Sequence, residues 1–468
     1  MSSEEFRTNG RAVIDWIADY YERLETLPVR SQAAPGDVRA ALPAHPPQTG
    51  EAFSAILRDV DYGLLPGVTH WQHPSFFAYF PANASFPAIL GDLLSSGLGA
   101  QGMLWATSPA ATELETLTLD WLAELLDLPH RFMSTGQGGG VIQDTASSGV
   151  LVALVAALHR ASGGTVGSTG LGSPRHIVYA GTAAHSMVEK AVRIAGLGTA
   201  NLRLIDVDPT TQSMRVEHLR ESVNADIGSG AVPTMVVATA GSTSTTAFDP
   251  VGEVGELCRE SGIWLHVDSA YAGVAAVCPD LRWVNDGLEH ADSYATNPHK
   301  WLLTNFDCDA FYVADRAGLV GALSVLPEFL RNTATESGAV IDYRDWQVPL
   351  GRRFRALKLW CVLRWYGAEG LRAHIRQGIE LAQHFAALVA TDGRFEVVAP
   401  HPLSLVCFRL RGDDEPNVEL LEKLNASGKV YLTHTRVNGE YTLRMAVGSP
   451  ATQTRHIEEA WRLIRELA

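Results

Sequence analysis

Lysine is scarce in this chain: of 37 basic residues only five are lysines, Lys190, Lys300, Lys358, Lys423 and Lys429. Basic runs are absent as well, and the formal net charge is −15. Nucleic acids and anionic membrane surfaces are held by clustered positive charge, so this balance argues against both as partners and leaves small molecules and other subunits. Cysteine is sparse and scattered (Cys258, Cys278, Cys308, Cys361, Cys407), with no C-x-x-C pair. That argues against a disulfide scaffold and a structural zinc site, and no metal is expected. No apolar stretch is long enough to span a bilayer, and the acidic start Met1-Ser2-Ser3-Glu4-Glu5-Phe6 lacks the basic and apolar regions of a secretory signal. A cytoplasmic location is expected.

What the chain does have is length and apolar content. Its 468 residues, 46% of them hydrophobic, can bury a large core divided among two or three domains. Phe6, Val13, Ile14, Ile17 and Tyr21 recur at helical spacing ahead of a proline-rich connector through Pro46-Pro47. An arm of this kind has too little to bury alone, so residues 1–85 are expected to pack on a partner subunit of a homodimer. In residues 86–366, helical periods alternate with near-continuous apolar runs such as His176-Ile177-Val178-Tyr179, Thr234 to Thr239 and Ile263 to Asp268. That pattern predicts a large α/β domain with a mostly parallel central sheet, whose ligands gather at the carboxyl ends of the strands. Residues 367–468 read as a small α+β domain: a helix from Leu371 to Val389, short strands near Phe395 and Ser404, and a closing helix from Thr454 to Leu467.

Lys300 stands in the turn Thr296-Asn297-Pro298-His299-Lys300-Trp301, away from carboxylates in the local sequence. An amine so held suits a lowered pKa and the capture of a carbonyl. Asp268 ends an apolar strand, where a carboxylate can pair with the protonated ring nitrogen of a pyridine cofactor. Thr145, Ala146 and Ser147 open the helical run Val150 to Leu158, and a small, hydroxyl-rich turn at a helix N-terminus offers its N–H groups to a phosphate. His185 lies at a strand-to-helix junction, from which it could stack on a cofactor ring. Each of these residues alone also fits an ordinary cap or core position. The order strand, Asp, Ala270-Tyr271-Ala272-Gly273, then a turn lysine is much rarer.

The run Asn297-Pro298-His299-Lys300-Trp301, preceded by His266-Val267-Asp268-Ser269-Ala270-Tyr271-Ala272-Gly273, resembles the group II pyridoxal-phosphate (PLP) decarboxylases, and among them the aromatic L-amino-acid decarboxylases. The likeness also takes in Val68-Thr69-His70-Trp71, Phe77 to Pro81, Ser108 to Glu115, Gln347 to Arg355 and Leu443-Arg444, nearly the whole chain. It implies a fold-type I, aminotransferase-like domain in a homodimer with active sites at the interface, catalysing loss of CO2 from an aromatic amino acid. It further implies that Lys300 forms the Schiff base to PLP, Asp268 binds the ring nitrogen and His185 stacks over the ring. Thr145, Ala146, Ser147, Asn297 and His299 would hold the phosphate, with Ser242, Thr243 and Ala270 near the ring.

Two departures bear on the product and the substrate. The family presents a loop tyrosine thought to protonate the carbon that has lost CO2; the matching motif here, Leu326-Pro327-Glu328-Phe329-Leu330, carries Phe329. A phenyl ring has no acidic proton, and a positioned proton donor typically contributes about 10² to 10⁴ in rate. In plant relatives the same change marks the aromatic acetaldehyde synthases, which decarboxylate and then let O2 oxidise the intermediate to aldehyde, ammonia and hydrogen peroxide. Amine and aldehyde both stay open as products. For the substrate, Trp71, Tyr79, Phe80, Pro81 and Phe306 match the family's aromatic pocket, and Gly351 leaves room for a large ring. Ala82 stands where animal DOPA decarboxylases carry a catechol-binding threonine, and Gln101 and Met103 also differ. Phenylalanine or tryptophan is therefore expected ahead of DOPA.

Overall fold

The structure, a computed structural model, describes residues 1–325 and 340–468; Phe329 and its motif lie outside the described residues. Two compact units emerge from the contacts: residues 82–379 with 399–405, and residues 1–81 with 380–398 and 406–468.

The larger unit is built in strand–helix alternation. Helices α2 (Phe86–Leu98) and α3 (Pro109–Leu125) precede β1 (Gly139–Gln143), and α4 (Ala146–Ala161) leads to β2 (His176–Gly181). Then follow α5 (Met187–Ile194), β3 (Leu202–Ile205), α6 (Val216–Gly228), β4 (Val232–Thr239), α7 (Val251–Ser261) and β5 (Trp264–Asp268). Finally come β6 (Ser293–Thr296), β7 (Asp309–Val313) and α8 (Arg316–Leu323). The seven strands form one sheet in the order β1-β7-β6-β5-β4-β2-β3. Pairs from β3 through β6 are parallel, while β7 runs against both β6 and β1 and is the single reversed strand. This is the mostly parallel α/β architecture that the apolar runs predict. Strands β1, β2, β5, β6 and β7 are buried along their whole length, as expected of strands covered by helices on both faces. Helix α4 buries Val150, Ala153, Leu154, Ala157 and Leu158 in one cluster with Val178, Val237, Ala295 and Phe311 of the sheet.

Beyond Arg355, α9 (Ala356–Ala390) is broken at Gly367, whose φ of 58° and ψ of 179° no helix accommodates. The smaller unit holds helix α1 (Ser3–Arg23), which buries none of its residues. Its sheet, ordered β10-β11-β9-β8, uses β8 (Phe395–Val397), β9 (Leu405–Leu410), β10 (Thr433–Val437) and β11 (Glu440–Ala446). Helices α10 (Asp414–Ala426) and α11 (Thr454–Leu467) cover it, with Phe385, Phe408, Leu424, Trp461 and Ile464 in the core. Phe77 joins this unit through its N–H to Tyr431 and its carbonyl from Ala446. No helix among the described residues is long and apolar enough to cross a membrane.

Candidate active site

Six segments bring polar groups to one edge of the seven-stranded sheet. Asp268 closes β5, and Asn297 follows directly on β6. Thr145 lies just past β1, His185 just past β2, and Ser242 and Thr243 just past β4. Because β7 is reversed, its first residue, Asp309, comes to the same edge. Lys300 sits in the short helical turn Pro298–Trp301 that leaves β6.

Asp268 is 5% exposed and accepts the Ala270 N–H at 3.1 Å. Burial pushes its carboxyl up, while the charges of Lys300 and His185 act in the opposite direction. Burial likewise pushes the Lys300 amine down, opposed by Asp268 and Asp309. The lowered amine is as the turn suggests. Its isolation from carboxylates, true of the local sequence, ends in the fold, where β5 and β7 each bring an aspartate near it. His185 is exposed, with Nδ1 accepting the Met187 N–H at 3.1 Å. Partial burial lowers its pKa, with Asp268 opposing and Lys300 assisting. Lys300, Asp268 and His185 thus act electrostatically on one another.

Helix α4, 16 residues long, opens at Thr145 with no side-chain cap, and its first internal bonds run from the Ser148 and Gly149 N–H groups to the Thr145 carbonyl, ahead of which Ala146 and Ser147 stand. The Asn297 amide meets His299 Nε2 at 3.1 Å, and His299 Nδ1 accepts the Cys308 N–H at 2.9 Å. With Nδ1 an acceptor, the neutral ring carries its proton on Nε2, so Nε2–H donates to the Asn297 amide with Oδ1 turned toward it; burial pushes the His299 pKa down to about 3, so the ring stays neutral. The Ser242 hydroxyl accepts the Ala247 N–H at 3.1 Å, shaping the loop that carries Thr243.

The substrate candidates fall into two sets. In the smaller unit Trp71 stacks on Tyr79 at 5.5 Å and tilts against Phe76 at 4.6 Å, while the Arg444 guanidinium lies 5.4 Å from the centre of the Phe80 ring, next to Pro81. In the larger unit Phe306 packs on His299 at 4.7 Å, Gln101 accepts the Arg352 N–H at 2.6 Å, and the Met103 carbonyl accepts the Arg344 N–H. A methyl group at Gly351 would meet only Gln101, at 3.3 Å. Ala82 is half-buried.

Residues 35–411 match the pyridoxal-dependent decarboxylase conserved domain. The chain belongs to that family. It is 48% identical over its full length to phenylacetaldehyde synthase of Arabidopsis thaliana, covering 96% of that protein, and 45% identical over its full length to tryptophan decarboxylase 2 of rice, covering 95%. The crystal structure of the rice enzyme TDC with PLP and tryptamine superposes with a TM-score of 0.97 at 44% identity, covering 100% of this chain and 98% of that one. This family member is a PLP-dependent carboxy-lyase. Its own residues fit the cofactor: an amine lowered by burial, a buried carboxylate at a strand end and an uncapped helix N-terminus share one sheet edge. The sequence reasoning passed over Asp309; the one carboxylate in the apolar run Cys308-Asp309-Ala310-Phe311-Tyr312-Val313 was its signal.

Proposed function

We propose that this enzyme decarboxylates an aromatic L-amino acid of the phenylalanine, tyrosine, tryptophan or DOPA class to the amine and CO2, with Lys300 as the cofactor lysine. The arrival of Lys300, Asp268 and His185 at one edge of the sheet, from the turns and ends of β6, β5 and β2, carries the reading. Bound PLP supplies an electron sink for the pair released when CO2 departs. Asp268 would hold a proton on the ring nitrogen, because a buried carboxylate with few other donors favours a cation beside it. His185, whose imidazole is held below the usual histidine range by burial, would stack over the ring near the substrate carboxylate. Thr145, Ala146 and Ser147 would hold the phosphate with the α4 dipole, helped by Asn297 and His299, and Thr243 and Ala270 would border the ring. Trp71, Tyr79 and Phe80 offer apolar ring surface, and Ala82 brings no hydroxyl for a catechol, which favours phenylalanine or tryptophan over DOPA.

A second reading is favoured by Phe329. With no phenol in that motif, the enzyme releases an aromatic aldehyde, ammonia and hydrogen peroxide at the expense of O2. Purified enzyme is incubated with each of the four amino acids while amine, aldehyde, peroxide and oxygen uptake are followed. Amine at full turnover without oxygen uptake removes the oxidative reading, and CO2 release from none of the four overturns the aromatic assignment.

The enzyme is further read as a cytoplasmic homodimer. Residues 1–85 act as an arm on the partner subunit, 86–366 form the large domain and 367–468 the small one. Support comes from α1, which has no fully buried residue, and from α2, whose Phe86, Leu90, Leu93, Leu94 and Leu98 face outward at helical spacing.

A further inference from the structure

Asp309 is fully buried, and neither of its carboxyl oxygens has a hydrogen-bond partner among the described residues. An unsatisfied buried carboxyl is costly, and a fold keeps one only where something offsets that cost. The backbone fixes its place. As the first residue of the reversed strand β7, it pairs in register with Gln143, two residues before the opening of α4. A methyl group built on Gly149, in the first turns of α4, would lie 3.1 Å from Asp309 Oδ2, so the carboxyl sits directly beneath that helix end. The charged groups acting on it are Asp268 from β5, Lys300 from the turn after β6, and Asp144 from the β1–α4 turn. Those acting on Lys300 are Asp268 and Asp309.

We propose that Asp309 is the proton-exchange partner of Lys300, taking a proton from its ammonium group before the amine joins the cofactor and returning one when the lysine is released. In the forward step an N–H bond of the Lys300 ammonium breaks and an O–H bond forms on Asp309, relayed by one water, because no donor among the described residues lies within hydrogen-bond reach of that carboxyl. The electron pair stays on Nζ, so no other reactant is needed. Burial favours the same direction at both ends. It pushes Asp309 well up, an effect that Asp268 and Asp144 increase and Lys300 opposes, and it pushes the Lys300 amine down. The uncharged pair of amine and carboxylic acid is thus the form burial favours, and the backbone supports the pairing: Thr296 lies opposite Ala310, so Asp309 starts β7 next to the turn after β6 that carries Lys300. Asp309 is a positioning residue, since it works through Lys300.

The inference rests on Lys300 being the cofactor lysine. Cofactor-free full-length protein is mixed with PLP, and growth of the visible absorbance of the lysine–cofactor chromophore is timed between pH 6 and 9. The wild type is compared with Asp309→Asn and Asp309→Ser. The expected result is a capture rate 10- to 100-fold slower in both variants with the same final absorbance, a changed pH profile, and partial recovery of the Asp309→Ser rate by added formate. Capture within twofold of wild type in both variants overturns the proposal. So does loss of the final chromophore in variants that melt like the wild type, since Asp309 would then serve binding rather than proton exchange. If Asp309→Asn fails to fold, Asp309→Ser with and without formate decides alone. A wild type that forms no chromophore, or a Lys300→Ala variant that still forms it, defeats the underlying assignment of Lys300 instead.

Discussion

Arg352 and Glu115 are joined by two hydrogen bonds, Nη2 to Oε1 at 2.7 Å and Nη1 to Oε2 at 2.9 Å, with both side chains buried. The pair straps strand β1: Glu115 accepts the Ile142 N–H at 2.8 Å, and Arg352 donates to the Ile142 carbonyl at 2.8 Å. It therefore fixes the strand just ahead of the turn assigned to the cofactor phosphate. Removing one partner leaves the other charge buried and uncompensated. Glu115→Ala is expected to cost about 3–5 kcal/mol, read as a lowered urea midpoint, and to weaken PLP binding. An unchanged midpoint would mean that the strap carries no stability.

Acid should unfold this protein readily because it buries neutral histidines. Burial pushes His266 and His299 down to about 3, whereas an unfolded histidine titrates near ~6.5. Below about 6.5 the unfolded chain binds protons that the folded chain refuses, so the contribution of these residues is intact at higher pH and is lost as pH falls toward 3. Each costs about 1.2 kcal/mol between pH 6 and pH 5, approaching 1.4 kcal/mol per pH unit below that, so the two together remove about 2.4 kcal/mol between pH 6 and pH 5. Urea titrations at pH 7, 6 and 5 measure this slope, and His266→Gln is expected to remove about half of that share. A midpoint at pH 5 equal to that at pH 7 would contradict it.

Elements with a strong local signature were the legible ones. The parallel strands announce themselves as apolar runs, and Asp268 is visible as the residue that ends one. The closing helix has the bounds its periodicity suggests, Thr454–Leu467. Strand β1 was hidden because glycines form its start. A side chain at Gly138 would run into the carbonyl oxygens of Arg131 and Val313, and one at Gly140 into the Tyr312 ring. Close packing, which has no sequence period, dictated those glycines. The surroundings of Lys300 were hidden for a related reason. The carboxylates that act on it, Asp268 and Asp309, arrive on separate strands, and the reversal of β7 that brings Asp309 to the cofactor edge leaves no mark in the local pattern.

Helix α2 provides a direct test of the proposed dimer. Leu94 and Leu98 are 56% and 66% exposed and continue the stripe begun by Phe86 and Leu90. If the stripe is covered by a second copy, Leu94→Glu combined with Leu98→Glu places two charges in an apolar contact and shifts the sedimentation coefficient from dimer to monomer. In a monomer the same changes on a solvated surface alter stability by no more than about 0.5 kcal/mol, and sedimentation would not move.

The product depends on whether a proton or oxygen reaches the carbon that has lost CO2. Phe329 offers no acidic proton, and a phenol at that position adds one without otherwise altering the size of the ring appreciably. A general acid in place typically speeds protonation by about 10² to 10⁴, which is enough to outrun a competing reaction with O2. Phe329→Tyr should accordingly raise the amine-to-aldehyde ratio by at least tenfold and cut peroxide release per CO2 by a similar factor, with total CO2 release little changed. Product analysis under air and under nitrogen measures both quantities. If the wild type already yields only amine, the variant leaves the ratio unmoved, and the proton then comes from elsewhere; His185 is the group to replace next, because it is exposed at the same sheet edge and acts on the charges of Asp268 and Lys300.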